Sequence, residues 1–229
     1  MRYRHEQKYL INDKMKNILI ARLSSVLSRD RNDHCQGYHI RSLYFDDIHD
    51  SGYYDKEDGI NHRGKYRIRL YNGITDVIYL EKKTKESGLC TKSRTLISKE
   101  LAQRLMSTEH YFMYGSDDKL LNEFLIAQKL TKLSPRQIVD YTREAFICPT
   151  GNVRITFDQS ITAPISNNLF DFNLPYVNVL EKNQVILEIK YDEYFPEYLA
   201  QLVQMDYGKA SEFSKYYECR NASKEVRRL

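Results

Sequence analysis

Polar and apolar residues alternate one by one along much of this chain, and that period of two marks strands with one buried face. It predicts strands at Tyr3–Ile11, Tyr38–Asp46, Arg63–Asn72 and Asp76–Lys85. Others follow at Leu89–Ile97, Gln137–Ile147, Asn152–Gln159 and Gln184–Asp192. Asn72-Gly73 is a hairpin signal, because both residues tolerate positive φ. Helical spacing takes over in a few places. Met15, Ile18, Leu19, Leu23, Val26 and Leu27 form one apolar stripe and predict a helix over about Asp13–Ser28, with Asn12 as its cap. Shorter helices are expected over Ser98–Met106 and Asp117–Leu130, and from Pro196, which suits a first helical turn, to about Met205. Residues 211–219 read as a last turn or a short helix. No repeat and no compositional boundary interrupts this order, so residues 1–229 are read as one domain of about eight strands.

The polar faces of these strands are unusual in their charge. In RGKYRIRLYN, residues 63–72, Arg63, Lys65, Arg67 and Arg69 share one face, with Gly64, Tyr66, Ile68 and Leu70 on the other. Neighbours on such a face lie about 6–7 Å apart, close enough for like charges to repel. The pattern recurs. Arg4, Glu6 and Lys8 share a face, as do Glu81, Lys83 and Lys85, Lys92 and Arg94, and Tyr141 and Arg143. Arg154, Thr156 and Asp158 oppose Val153, Ile155 and Phe157, while Glu188, Lys190 and Asp192 oppose Val185, Leu187, Ile189 and Tyr191.

For a single strand, ordinary amphipathicity explains this, with the charged side in water. Across the set it does not. A solvated face mixes in Thr, Ser and Gln, whereas the row from Arg63 to Arg69 is purely cationic. The helices also carry apolar stripes that need a surface, and the apolar face of the sheet is the one available. The expected fold is therefore α+β: a closed antiparallel β-barrel with helices packed on the outside and a charged lumen. A barrel of about eight strands can hold one elongated ligand. Lined with Arg and Lys, it needs a dense anion or offsetting carboxylates.

The global charge sharpens the picture. The formal charge is +4, from 35 Lys+Arg against 31 Asp+Glu, so any strong positive field is local and bulk attraction to nucleic acid is weak. The nine Gly and five Pro leave no room for a flexible linker. Cys35, Cys90, Cys148 and Cys219 are widely spaced and read as free thiols in a reducing compartment. His5, His34, His39, His49, His62 and His110 share no metal-ligand spacing and read as surface or loop residues. Ser42, Tyr44 and Asp46 share a strand face and either touch the lumen or serve structural hydrogen bonding. A GxxxxGK[ST] segment is absent, so a P-loop is unsupported. The KEVRR run reads as a solvated end. With no apolar h-region and no 18-residue uncharged apolar stretch, the chain is expected to be soluble and cytoplasmic.

The segments RHEQKYLI, SLYFDD, KYRIRLY, LEKKTKESG, TKSR, YTREAF, VRITFD, ILEIKYD and EFSKYY run in this order nearly from end to end. In them the chain resembles the VTC domain, the polyphosphate-polymerase domain of the vacuolar transporter chaperone family and a branch of the triphosphate tunnel metalloenzymes. The resemblance implies a closed tunnel that binds a nucleoside triphosphate or polyphosphate and moves a terminal phosphate. By motif, Lys8, Arg67, Arg69, Lys83, Lys92, Arg143, Arg154 and Lys215 take the basic phosphate contacts, and Glu188 the metal-binding carboxylate. Arg67, Arg69, Lys83, Arg143, Arg154 and Lys215 are the expected catalytic set. Lys65, Lys85, Arg94, Tyr141, Lys190 and Ser214 join Lys8 and Lys92 as expected phosphate or nucleotide contacts. Glu6 is either a second metal ligand, since tunnel enzymes place acidic residues on the first strand, or an ion-pair partner of Arg4 or Lys8. The implied cofactor is a divalent Mg²⁺ or Mn²⁺, which prefers such hard oxygen ligands.

The function expected on this basis is ATP-dependent polyphosphate polymerisation, with ATP and inorganic polyphosphate as partners and no nucleic acid. A tunnel triphosphatase differs only in giving the phosphate to water. A non-catalytic polyphosphate-binding module would not need Glu188, and sheet-based RNA binding would want aromatics exposed among the cations. Eukaryotic relatives carry a regulatory domain before this one; here the tunnel motif begins at Arg4, so such regulation is expected to be absent or supplied by another chain. The family's membrane-embedded subunits suggest a membrane partner that receives the product and holds the domain at the inner face of a membrane.

Overall fold

A computed structural model describes residues 3–30, 33, 37–57, 62–86, 89–107, 117–204 and 209–227. The chain opens with β1 (His5–Asn12), α1 (Asp13–Ser24), β2 (Ser28–Arg29), β3 (Tyr38–Asp46) and α2 (Ser51–Glu57). The meander β4 (His62–Tyr71), β5 (Ile74–Glu86) and β6 (Leu89–Ile97) follows, then α3 (Lys99–Ser107) and α4 (Lys119–Thr131). Next come β7 (Ser134–Cys148), a 3₁₀ turn at Thr150–Asn152, β8 (Val153–Pro164), β9 (Tyr176–Asn178) and β10 (Gln184–Tyr191). The last elements are α5 (Glu197–Leu202), β11 (Lys209–Ala210) and α6 (Lys215–Arg227). The expected strands are the eight long ones, and β2, β9 and β11, of two or three residues each, are additional.

Local chemistry sets several boundaries. The Asn12 side chain accepts the Met15 N–H at 2.8 Å and caps α1. Asn72 and Gly73 both hold positive φ, 51° and 69°, the geometry of a tight turn between twisted strands. Lys132 closes α4 in the left-handed region.

The strands pair antiparallel in the order β11-β1-β10-β8-β7-β3-β4-β5-β6, with β2 on β7 and β9 on β8. The sheet curls strongly, but it is not the closed barrel expected. Its ends meet at one bridge, where Arg4 and Cys90 exchange two backbone hydrogen bonds of 3.1 Å. Forward along β1 means backward along β6, and among the described residues β6 begins at Leu89, one residue past the bridge.

The outer face carries two apolar layers. Leu43, Ile68, Leu80 and Ile138 pack with Leu105, Leu121 and Phe124 of α3 and α4. Ile155, Phe157 and Leu187 pack with Leu19 and Leu23 of α1 and Leu199 of α5. These helices lie outside, as expected. The C-terminal helix α6 does not. It is longer than expected and packs Tyr216 and Cys219 against Ile40, Val139 and Ile186, which share faces with Ser42, Tyr141 and Glu188. That end of the inner face is apolar, so burying it takes an apolar partner inside the curl.

Candidate functional site

The charged rows converge on a cavity of about 590 Å³. β4 supplies Lys65, Arg67 and Arg69, β5 supplies Lys83 and Lys85, and β6 supplies Lys92. Facing them are Tyr141 and Arg143 of β7, Arg154 of β8, Glu188 and Lys190 of β10, and Glu6 and Lys8 of β1. Ser214 and Lys215 enter at the start of α6. Arg94 stands apart: it is exposed, with its guanidinium 4.8 Å from the centre of the Tyr79 ring, and it does not line the cavity. The side chain of Arg63 lies outside the described residues, as do Cys35, His34 and His110.

The cations do not float freely. Arg67 donates to Glu81 at 2.8 Å through Nε and to the Tyr44 hydroxyl at 2.7 Å. Arg69 donates to Ser42 Oγ at 2.9 Å and to the Tyr141 hydroxyl at 3.3 Å. Arg143 grips Asp158 with two bonds of 2.6 and 2.7 Å, and Lys215 reaches the same carboxylate at 2.5 Å. Arg154 pairs with Asp30 and donates to the Tyr38 hydroxyl at 2.8 Å. Burial opposes ionisation of Tyr44, yet Arg67 and Arg69 draw its pKa down to about 8. Of the polar residues on β3, Ser42 and Tyr44 therefore serve the lumen cations. Asp46 instead accepts the N–H groups of Gly52 and Tyr53 and the Tyr216 hydroxyl, which is structural work.

Glu6 and Glu188 form the acidic patch of the cavity. Lys190 Nζ touches both, at 3.5 Å from Glu6 and 3.2 Å from Glu188. Lys83 holds Glu6 at 2.7 Å, Lys8 holds it at 3.1 Å, and Arg143 reaches Glu188 at 3.3 Å. Burial favours protonation of Glu6, but Lys190, Lys83 and Lys8 outweigh it and hold the carboxyl well below the usual range. Glu188 is lowered against the same burial, chiefly by Lys190. Glu6 is thus both an ion-pair partner of Lys8 and a neighbour of Glu188. Among the described residues no group of three or more His, Cys, Asp and Glu side chains is placed to hold a metal ion. Two adjacent carboxylates still fit Mg²⁺ or Mn²⁺, which take one or two from a protein and the remaining oxygens from phosphate and water.

The start of α6 adds to the positive field. Ser214 Oγ accepts the Tyr217 N–H at 3.5 Å, so the helix begins at the cavity wall with its N-terminal dipole end there. His5 lines the cavity too, stacked on Tyr191 at 4.9 Å, and His39 lies on β3, 3.7 Å from Asp140. Both lie on strands, and His5 is exposed, as a surface residue would be. Cys90 is a half-buried free thiol in the lining, while Cys148 and Cys219 are free and buried.

The VTC domain model matches residues 3–224. The chain belongs to the VTC domain family. No curated protein matches it in sequence. Among solved structures, a provisional adenylate cyclase from Bacillus halodurans is 14% identical, with a TM-score of 0.51 over 88% of this chain and 86% of that one. A protein from Pyrococcus horikoshii OT3 is 15% identical, with a TM-score of 0.42 over 88% of this chain and 84% of that one. The first likeness supports the α+β fold with a curled antiparallel sheet. No helix among the described residues of this VTC domain is long and apolar enough to cross a membrane.

Glu81 and Asp158 are what sequence reasoning missed in the VTC domain site. Both are wholly buried, and each binds two or more lumen cations from behind. Alternation had placed both on charged faces, and that was the available signal. It reports which face a residue takes, not how deep on that face it lies.

Proposed function

We propose that this chain is a polyphosphate polymerase that moves the γ-phosphoryl group of ATP onto the end of an inorganic polyphosphate chain. The observation that carries this reading is the convergence of Arg67, Arg69, Lys83, Arg143, Arg154 and Lys215 on one cavity with Glu6 and Glu188 beside them. Arg offers a planar fork for two phosphate oxygens, and Lys a mobile point charge. Phosphoryl transfer asks the protein chiefly to hold phosphates in line and to offset their charge. The bond from the γ-phosphorus to the β–γ bridging oxygen breaks, a bond to a terminal oxygen of the acceptor forms, and ADP leaves. Glu188 and Glu6 would hold a divalent cation, which neutralises phosphate oxygens as charge moves between them.

The state of the carboxylates is compatible with a phosphate acceptor. Glu6, Glu81, Asp158 and Glu188 are buried yet held below their ordinary pKa by neighbouring cations, with Lys190 and Lys83, Arg67, Arg143 and Lys190 first among them respectively. Such groups are poor bases for activating water. A phosphate acceptor arrives as an oxyanion and needs no base.

The test is incubation of the full chain with ATP and Mg²⁺ or Mn²⁺, with long phosphate chains and orthophosphate assayed separately. Chains are the expected product. Orthophosphate alone would identify a triphosphatase, and turnover of neither would identify a binding module.

A further inference from the structure

The inner face of β5 and β6 changes character along its length. Lys83 and Lys92, paired across the two strands, belong to the cavity. Two residues further, Glu81 faces Arg94, and the next pair is Tyr79 with Leu96. Val77 continues the same face of β5, because residues two apart on a strand point the same way. Leu96 is 61% exposed and Val77 is 42% exposed. On the opposite face of these strands Ile78, Leu80 and Ile97 are buried under α3 and α4. This end of the hairpin is therefore apolar on both faces, and helices cover only one of them among the described residues.

The uncovered end is joined to the cavity by aromatic rings. Tyr71 lines the cavity and meets Tyr79 edge-on, with ring centres 6.3 Å apart. The Arg94 guanidinium carbon then sits over the Tyr79 ring, 4.8 Å from its centre. A ring bearing a planar guanidinium, flanked by an exposed Leu and Val, is a surface for a flat heteroaromatic body. Its position beside a cationic cavity of about 590 Å³ says what that body is attached to.

We propose that Tyr79, Arg94 and Leu96 form a shelf for the nucleoside of the phosphate donor, with the base laid on the Tyr79–Arg94 stack and the phosphates running past Tyr71 into the cavity. This rests on the reading that the cavity takes a nucleoside triphosphate, and it gives Arg94 a task outside the phosphate clamp. Stacking tolerates any base, so the shelf selects nucleotides over bare phosphate chains more strongly than one base over another.

The test is calorimetric titration of the full chain with ATP and, separately, with inorganic tripolyphosphate. Tyr79→Ala is expected to weaken ATP binding about tenfold while tripolyphosphate binding stays within about twofold. Leu96→Ser is expected to show a smaller loss with the same selectivity, and Tyr79→Phe to keep both affinities. Unchanged ATP affinity in Tyr79→Ala, with tripolyphosphate still bound, overturns the shelf alone. Equal losses for both ligands also overturn it, because Tyr79 then acts through the cavity. A wild type that binds neither ligand overturns the phosphate cavity and the shelf together.

Discussion

Two pairs of carboxylates in the same lumen do opposite jobs. Glu81 and Asp158 lie behind the cations, wholly buried and outside the cavity lining, and their partners bind them tightly from the front. Glu6 and Glu188 lie beside the cations and line the cavity itself. The first pair makes it possible to bury Arg67, Arg69 and Arg143 at all, since a buried charge without a partner is costly. The second pair sets acidic oxygens where an anionic ligand would lie, an arrangement that repels that ligand unless a cation bridges them. Depth on the same sheet face separates a structural counter-ion from a group that can meet substrate.

Substitutions should pull these roles apart. The largest effect is expected from Asp158→Asn, which takes the counter-charge from Arg143 and Lys215. Unfolding in urea should show a loss of about 3–5 kcal/mol, the usual cost of breaking a buried pair. A variant as stable as wild type would erase the distinction between the two pairs. Glu188→Gln comes next. Turnover should fall about a hundredfold or more, the scale of removing one charge-organising group, while tripolyphosphate affinity is kept or improved. Wild-type rates at saturating cation would pass the ligand role to Glu6. The smallest effect is on binding. Arg67→Ala and Arg69→Ala should each weaken tripolyphosphate binding about tenfold, as expected for a charge-assisted contact of about 1.5–3 kcal/mol. Losses under about twofold in both would mean that these guanidiniums serve Glu81 and Tyr44 rather than a ligand.

Much of this site was legible in the sequence because a strand writes its faces in alternate letters. The row Lys65, Arg67, Arg69 and the row Glu188, Lys190 needed no more than a period of two. Strand pieces such as Ser28–Arg29 and Tyr176–Asn178 are too short to show any period, and SGYYDKE in α2 carries no apolar stripe. Closure was misjudged for a different reason. Whether β1 meets β6 along its length depends on register across the whole sheet, and the bridge at Arg4–Cys90 sets β1 running past the start of β6. The position of α6 was hidden likewise, because Ile40, Val139 and Ile186 interrupt the charged rows singly and form a patch only after the strands pair. Arg94 was read as one more cation of its row. Its neighbours Tyr79 and Leu96, which set its surroundings, become adjacent only through the β5–β6 ladder.

The central claim is that this lumen is charged for a phosphate chain. Thermal unfolding of the full chain during a tripolyphosphate titration tests it most directly. At a ligand concentration a hundredfold above Kd the linked stabilisation is about 2.7 kcal/mol, which for a chain of this size raises Tm by about 5–10 °C. The account predicts a saturable rise of that size that shrinks as salt is added. A Tm that stays flat across the titration would contradict it.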